Sequence, residues 1–295
     1  MEKIIFSLTS SKKLAEHISK ASKIELGMSE VQKFSDGEIM ARCLSNVKGK
    51  ECFIVQSTIA PSSDTIFEIL IFVDALKNAG AKEIVLITPY YGYSRQDRVA
   101  RPGEPITAKL VAKMLENTGI SRVISVDLHT QQIQGFFSIP VENLETSVLF
   151  GRYFASRFDE LKIAHKNVVV VSPDHGSANR GRDVSSELNG AGLAVIDKRR
   201  PAPNQSEVVN VVGDVDGKVC LIVDDICDTC GTINNAVEAL FQKGAKEVYV
   251  AVTHAVISKN SIDSRVKEFV TTDTVEKEYK GAKVLSVAEL IAQNL

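Results

Sequence analysis

The chain has 295 residues, enough for two domains that each bury a core of their own. Apolar residues make up 44% and charged residues 24%, which excludes long disordered tracts. The formal net charge is −2 with the signs well mixed. No basic block is offered to nucleic acid or to a membrane surface, so neither is expected as a partner.

In chain order, "MEKIIFSLTSSKK" has too short an apolar run for a signal peptide, and it holds the first expected strand, 3–8. A strand at 52–57 and a helix at 62–79 follow. Within that helix "IFEILIFVDAL" (66–76) carries Glu68 and Asp74, which makes it a buried amphipathic helix and not a membrane span. Next come a strand at 83–88, a helix at 105–118 and a strand at 122–127. A seam is expected near 140–148, around "SIPVENLETS". Beyond it lie a helix at 145–160, a strand at 167–172 and a helix at 177–189, then a strand at 218–225, a helix at 231–243 and a strand at 247–252. Short apolar strands separated by helices read as βαβ units and mostly parallel sheets. Five cysteines, an odd number without framework spacing, fit a reducing cytoplasm.

An internal repeat divides the chain. "DALKNAGAKEIVLIT" (74–88) matches "EALFQKGAKEVYVAV" (238–252) at a constant offset of 164 residues. Each copy is a helix end, a glycine stop and a buried strand. Carried upstream at the same offset, Asp228 and Thr229 face Asp64 and Thr65. The pair Asp224 and Asp225 faces Ala60 and Pro61, which cannot do the same chemistry. Two domains of one fold are expected, 1–144 and 145–295, with the carboxylate chemistry in the second.

The stretch "VDDICDTCGT" (223–232) carries most of the functional signal. Its C-x-x-C spacing admits a redox pair or half a zinc site. Three aspartates nearby would raise the thiol pKa values, and no second C-x-x-C or H-x-x-x-H completes a zinc site. Small residues filling a tight turn is the plainer reading of Cys227 and Cys230. The stretch as a whole fits a sugar phosphate. A buried strand ends at two carboxylates, which suit two vicinal ribose hydroxyls. Backbone N–H groups from Asp228 to Thr232 then form an anion cradle at the mouth of a helix, with hydroxyls from Thr229 and Thr232.

These residues resemble the phosphoribosyl-pyrophosphate loop of type I phosphoribosyltransferases and of ribose-phosphate pyrophosphokinases. "KFSDGE" (33–38), "PYYGYSRQDR" (89–98), "EPITAKL" (104–110), "DLHTQQIQGFF" (127–137), "SPDHG" (172–176) and "DKRRP" (197–201) are similar to the second family, over nearly the whole chain and in its order. That resemblance implies two tandem domains of the type I phosphoribosyltransferase fold, each a mostly parallel sheet flanked by helices. The first would carry a degenerate ribose loop.

The resemblance also implies an activity: Mg²⁺-dependent transfer of a diphosphoryl group from ATP to ribose 5-phosphate. The alternatives are a phosphoribosyltransferase, which needs neither "FSDGE" nor "DKRRP", and a non-catalytic regulatory subunit. Phe34, Asp36 and Glu38 would reach the adenine or its ribose from a neighbouring subunit, while Arg95 and Gln96 would contact the nucleotide from the other side. His129 and Asp174 would hold Mg²⁺, with Asp127 in support. Mg²⁺ prefers oxygen, so the residues alone leave His129 a packed polar side chain. Lys198 and Arg200 would be catalytic cations on a mobile loop. Asp224, Asp225, Asp228, Thr229, Cys230, Gly231 and Thr232 would bind ribose 5-phosphate. Ser177 stands where the family usually has a second glycine.

An adenine site shared between subunits implies at least a homodimer, commonly a hexamer. Many relatives bind ADP or phosphate at a second site between subunits. Here Lys48 and Gly103 stand where that site uses arginines, and the chain stops at "SVAELIAQNL" without the expected tail. ADP is therefore expected to inhibit only by competing with ATP.

Overall fold

The computed structural model describes residues 1–199, 208–259 and 261–295. They form two compact units. Met1–Leu144, Asp273–Glu276 and Ser286–Leu295 make the first, and Glu145–Thr272 with Lys277–Leu285 the second.

The first unit runs β1 (Lys3–Ser7), α1 (Lys12–Ser22), β2 (Glu25–Leu26), β3 (Ser29–Lys33), β4 (Ile39–Cys43), β5 (Glu51–Val55), α2 (Ser62–Asn78), β6 (Glu83–Thr88), α3 (Thr107–Asn117), β7 (Arg122–Val126) and β8 (Val141–Leu144). Its sheet has the order β2-β1-β5-β6-β7-β8, with every pair parallel. Strands β3 and β4 form a separate antiparallel hairpin. The central strands are buried along nearly their whole length, as "EIVLIT" in β6 shows. This is the pattern of a parallel sheet covered on both faces. Phe6 on β1 meets Phe72 on α2 edge-on, with ring centroids 5.3 Å apart. Each such buried ring contributes about 1.5–3 kcal/mol of transfer free energy.

The second unit runs α4 (Ser147–Glu160), β9 (Val168–Ser172), α5 (Ala178–Glu187), β10 (Gly192–Arg199), β11 (Val208–Val212), β12 (Val219–Cys227), α6 (Gly231–Gln242), β13 (Glu247–Ala255), β14 (Glu268–Thr272) and β15 (Ala282–Leu285). The order is β11-β10-β9-β12-β13-β14-β15. Only the β10–β11 pair at one edge is antiparallel. Phe150, Phe154 and Phe158 recur every fourth residue of α4, so all three lie on one face and are buried. Phe158 packs edge-on against Tyr249 of β13, at 5.2 Å between centroids.

The last residues of the chain, expected in the second domain, belong to the first unit. Helix α7 (Ala288–Ala292) buries Ala288 and Ile291 and packs with α1. Asp273 fixes its start by accepting from Ser286 Oγ at 2.6 Å and from the Val287 N–H at 2.8 Å. Among the described residues no helix is long and apolar enough to cross a membrane.

Strand register corrects the repeat. Glu51 faces Glu83 across β5–β6, a separation of 32 residues, while Val219 faces Glu247 across β12–β13, a separation of 28. The offset of 164 holds for the helix ends and for β6 and β13. In the preceding strands it becomes 168. Asp224 and Asp225 are therefore the counterparts of Gln56 and Ser57, not of Ala60 and Pro61. The strand-to-helix connection differs in length between the copies, which a constant offset cannot register.

Candidate active site

In the first unit the "FSDGE" segment is the turn of the β3–β4 hairpin. The Phe34 N–H donates to the Glu38 carbonyl at 2.8 Å, and the Gly37 N–H to the Phe34 carbonyl at 3.0 Å. Gly37 has φ +96°, a backbone region open to glycine. Asp36 Oδ1 accepts the Glu38 N–H at 3.0 Å, so one oxygen of this candidate adenine ligand already serves the turn. Phe34, Asp36 and Glu38 are exposed. Lys33 Nζ, at the foot of the hairpin, meets Asp64 Oδ2 of α2 at 2.5 Å. Beside the hairpin lies an apolar groove of about 470 Å³, lined by Glu38, Phe67, Leu70, Tyr93, Leu110 and Met114 among others. Its apolar positions read in the sequence as ordinary helix faces, so no signal separated them from core.

Arg95 and Gln96 sit in the loop after β6. That loop is pinned at Gly92, whose N–H donates to Thr58 Oγ1 at 2.5 Å. A Cβ at Gly92 would lie 2.2 Å from the Thr58 carbonyl oxygen, so no side chain fits there. Gln96 Oε1 accepts from Thr107 Oγ1 at 2.6 Å. Arg95 is exposed. His129, after the neighbouring strand β7, is also exposed, and Asp127 is buried at φ +41°. Asp97 ties the two loops together. Its Oδ2 accepts from Thr130 Oγ1 at 2.7 Å and from Gln132 Nε2 at 3.0 Å. The first unit thus gathers Arg95, Gln96 and His129 at the carboxyl ends of adjacent strands, where open α/β sheets bind ligands. Sequence reading missed Asp97 in this role, although it lies inside "PYYGYSRQDR".

In the second unit β12 continues through Cys227, so Asp224 and Asp225 lie inside the strand and not at its end. Both are 5% exposed. Burial, and then the charges of Asp225 and Asp174, push the Asp224 carboxyl well above the usual carboxylate range. A hydrogen bond from Ser177 opposes that shift. Ser177 Oγ donates to Asp224 Oδ1 at 2.9 Å, and the Asp225 N–H donates to the same oxygen at 3.0 Å. Arg180 Nη1 lies 3.9 Å from Asp225 Oδ1.

The loop then turns into α6. Asp228 Oδ1 accepts from Ser258 Oγ at 2.5 Å, and the Asp228 carbonyl accepts the Ser258 N–H at 2.9 Å. Cys230, the residue before α6, has φ +58° and makes no side-chain capping bond. The Cys230 side chain therefore leaves the first N–H groups of α6, from Gly231 onward, uncovered by its own sulfur. Thr229 and Thr232 are exposed at this mouth.

Cys227 and Cys230 are both buried, with sulfurs 3.0 Å apart. Burial is the main cause raising both thiols, and for Cys227 the effect of Asp224 ranks behind that of Cys230. The aspartates raise the thiols in the expected direction, as the smaller contribution. Thiols held protonated in this way are poor nucleophiles.

Asp174 is exposed, and its Oδ1 accepts the Ser177 N–H at 3.0 Å. His175 Nε2 lies 3.1 Å from Asp197 Oδ1. His129 belongs to the first unit and Asp174 to the second. Among the described residues no group of three or more His, Cys, Asp or Glu side chains is gathered as a metal cage. Lys198 was expected on a loop, yet β10 retains strand conformation through Arg199. The Lys198 side chain and all of Arg200 lie outside the described residues.

Comparison with known proteins supplies the context for these two sites. Residues 3–119 match the N-terminal domain of ribose phosphate pyrophosphokinase, and residues 142–289 match the phosphoribosyl transferase domain. The chain is 46% identical to a ribose-phosphate pyrophosphokinase of Fusobacterium nucleatum, over 98% of this chain and 92% of the relative. It is 46% identical to that of Bacillus subtilis and 47% identical to that of Corynebacterium ammoniagenes, with the same coverage. The crystal structure of phosphoribosylpyrophosphate synthetase from Mycobacterium smegmatis superposes with a TM-score of 0.91 at 37% identity, covering 100% of this chain and 97% of that one.

Proposed function

The chain belongs to the ribose-phosphate pyrophosphokinase family of transferases, and from that premise we propose a specific reaction for it. The β,γ-diphosphoryl group of ATP passes to the C1 hydroxyl of ribose 5-phosphate, giving 5-phosphoribosyl 1-pyrophosphate and AMP. The C1 oxygen attacks the β-phosphorus in line. The bond from that phosphorus to the α,β-bridging oxygen breaks, AMP leaves with the electron pair, and the hydroxyl proton is released. Such a transfer asks the protein mainly for positioning and for charge neutralisation.

The observation that carries this reading is the second-unit loop. A buried acid pair, Asp224 and Asp225, lies a few residues before the start of α6 and the exposed Thr229 and Thr232. The carboxylates accept from ribose hydroxyls, while the N–H groups from Asp228 to Thr232 receive the 5-phosphate. Arg95 and Gln96 hold ATP from the first unit. Phe34, Asp36 and Glu38 complete the adenine site of a neighbouring subunit, which makes the enzyme at least a homodimer, with a hexamer as the assembly common in the family. The exposed ring of Phe34 at the hairpin turn supports that arrangement. Lys198 and Arg200 neutralise oxygens of the moving group.

His129 and Asp174 are the groups that would hold Mg²⁺, which when bound neutralises triphosphate charge. Both are exposed. Mg²⁺ ordinarily binds through one or two protein groups plus substrate phosphates and water. The deciding experiment incubates the purified protein with ATP, Mg²⁺ and ribose 5-phosphate. AMP should form only when all three are present, and its absence would overturn the reading.

A further inference from the structure

The geometry points to Ser177 as a positioning residue that aims Asp224 at the ribose. Serine directly before a helix ordinarily turns its hydroxyl inward, to accept from the second or third N–H of the helix. Ser177 precedes α5 and makes no such bond. Its Oγ instead donates across 47 residues of sequence to Asp224 Oδ1, at 2.9 Å, inside a buried pocket where Ser177 is 5% exposed.

The rest of Ser177 is held by its backbone. Its N–H donates to Asp174 Oδ1 at 3.0 Å. Its carbonyl accepts from Ser172 Oγ at 3.0 Å and from the Gly181 N–H at 3.0 Å. The Ser172 contact has room only because residue 181 is glycine, since a Cβ there would lie 2.5 Å from Ser172 Oγ. A serine locked this firmly gives its hydroxyl one direction, and that direction is Asp224.

The Asp225 N–H reaches the same oxygen as Ser177, so both donors converge on Oδ1. Two donors on one oxygen restrain how the carboxyl group can turn toward an incoming sugar hydroxyl. Glycine at this position would supply the backbone bonds and no hydroxyl. The serine therefore adds a constraint on the ribose acid. This inference rests on the reading of Asp224 as a ribose-binding acid.

The test compares wild type with Ser177→Ala and Ser177→Gly in the full chain. Both variants leave the backbone bonds to Asp174 and Ser172 possible; Ser177→Ala removes only the hydroxyl, and Ser177→Gly removes the Cβ as well. KM for ribose 5-phosphate should rise about 3- to 30-fold, less than for a lost hydrogen bond to a charged substrate group, because Ser177 acts through Asp224. KM for ATP should stay near wild type, while the melting temperature falls modestly because the buried Asp224 carboxyl loses one donor. A merely structural serine would lower the melting temperature without a selective rise in KM for ribose 5-phosphate, or move both KM values together, and either outcome overturns the inference. So does an unchanged KM for ribose 5-phosphate in both variants. Calorimetric titration with ribose 5-phosphate alone gives a second readout. If wild type forms no AMP, the proposed reaction fails, while the affinity difference between wild type and Ser177→Ala still decides the role of Ser177.

Discussion

The two units share a fold and differ in what they do with one pair of positions in equivalent chain segments. In the second unit the fifth and sixth residues beyond Val219 are Asp224 and Asp225, inside β12 and a few residues before α6. In the first unit the same positions beyond Glu51 are Gln56 and Ser57, and the structure uses them up. Gln56 is fully buried. It accepts from Ser10 Oγ at 2.9 Å and donates to Glu68 Oε2 at 2.7 Å. Ser57 Oγ donates to the Thr274 carbonyl at 2.6 Å and accepts the Tyr90 N–H at 3.1 Å. Thr65 is buried and donates its hydroxyl to the Ile59 carbonyl at 2.9 Å. The amide and hydroxyls of the first unit bond to neighbouring loops and helices, whereas the second unit carries two adjacent buried acids at the same place. The fold supplies the location, and the side chains at these positions decide whether it is a site.

The sharpest way to break this comparison acts on the second unit alone. Lys198→Ala should lower kcat about 10²–10³-fold with little change in the binding of unreactive ATP analogues, because the cation acts mainly in the transition state. Equal loss in analogue binding would remove it from that role. Next in size, Asp224→Asn with Asp225→Asn should raise KM for ribose 5-phosphate roughly 10- to 100-fold, at about 1.5–3 kcal/mol for a hydrogen bond to a charged group. Steady-state kinetics with each substrate varied will check it, and a main effect on ATP would reverse the assignment of the two units.

The control in the first unit is Gln56→Ala. It strips a donor from buried Glu68 and an acceptor from Ser10, so stability should fall by about 1–3 kcal/mol. KM for ribose 5-phosphate in the surviving enzyme should not change. Denaturant unfolding and kinetics on one preparation separate the two. The smallest effect is expected from Cys227→Ser with Cys230→Ser. Buried, protonated thiols do no chemistry in this reading, so kcat should remain within about twofold of wild type. Activity that vanished, or that followed thiol oxidation in the wild type, would return the C-x-x-C to the mechanism.

Much of this was legible in the sequence. The buried strands β1, β5, β6, β7, β9, β12 and β13 are nearly continuous apolar runs, and "GAK" before β6 and β13 marks two helix stops. Strands with half-exposed residues were not legible. All of "VENL" in β8 is half-buried, and "SEVQK" in β3 has no buried residue. Such strands pair through backbone bonds and leave no apolar period to read. The helix α1 was missed although Leu14, Ala15 and Ile18 are its only buried residues and lie at helical spacing, because the surrounding lysines and serines dilute them. The acids and threonines of the ribose loop stand out by type, while the hydroxyl of Ser177 gains meaning only through a partner far along the chain. The shift of four residues between the copies was hidden for a related reason: a connection can lengthen without changing the composition on either side.

Asp97 has a consequence for anyone who would rebuild this enzyme. One carboxylate oxygen holds both the segment that carries Arg95 and Gln96 and the segment that carries His129. The two loops are therefore not interchangeable parts. Transplanting either one from a relative with a different nucleotide preference would strip the other of its anchor, and the graft would carry the new residues without their spacing. The transferable module is the pair, cut at β6 and again after β7, with Asp97, Thr130 and Gln132 moved together.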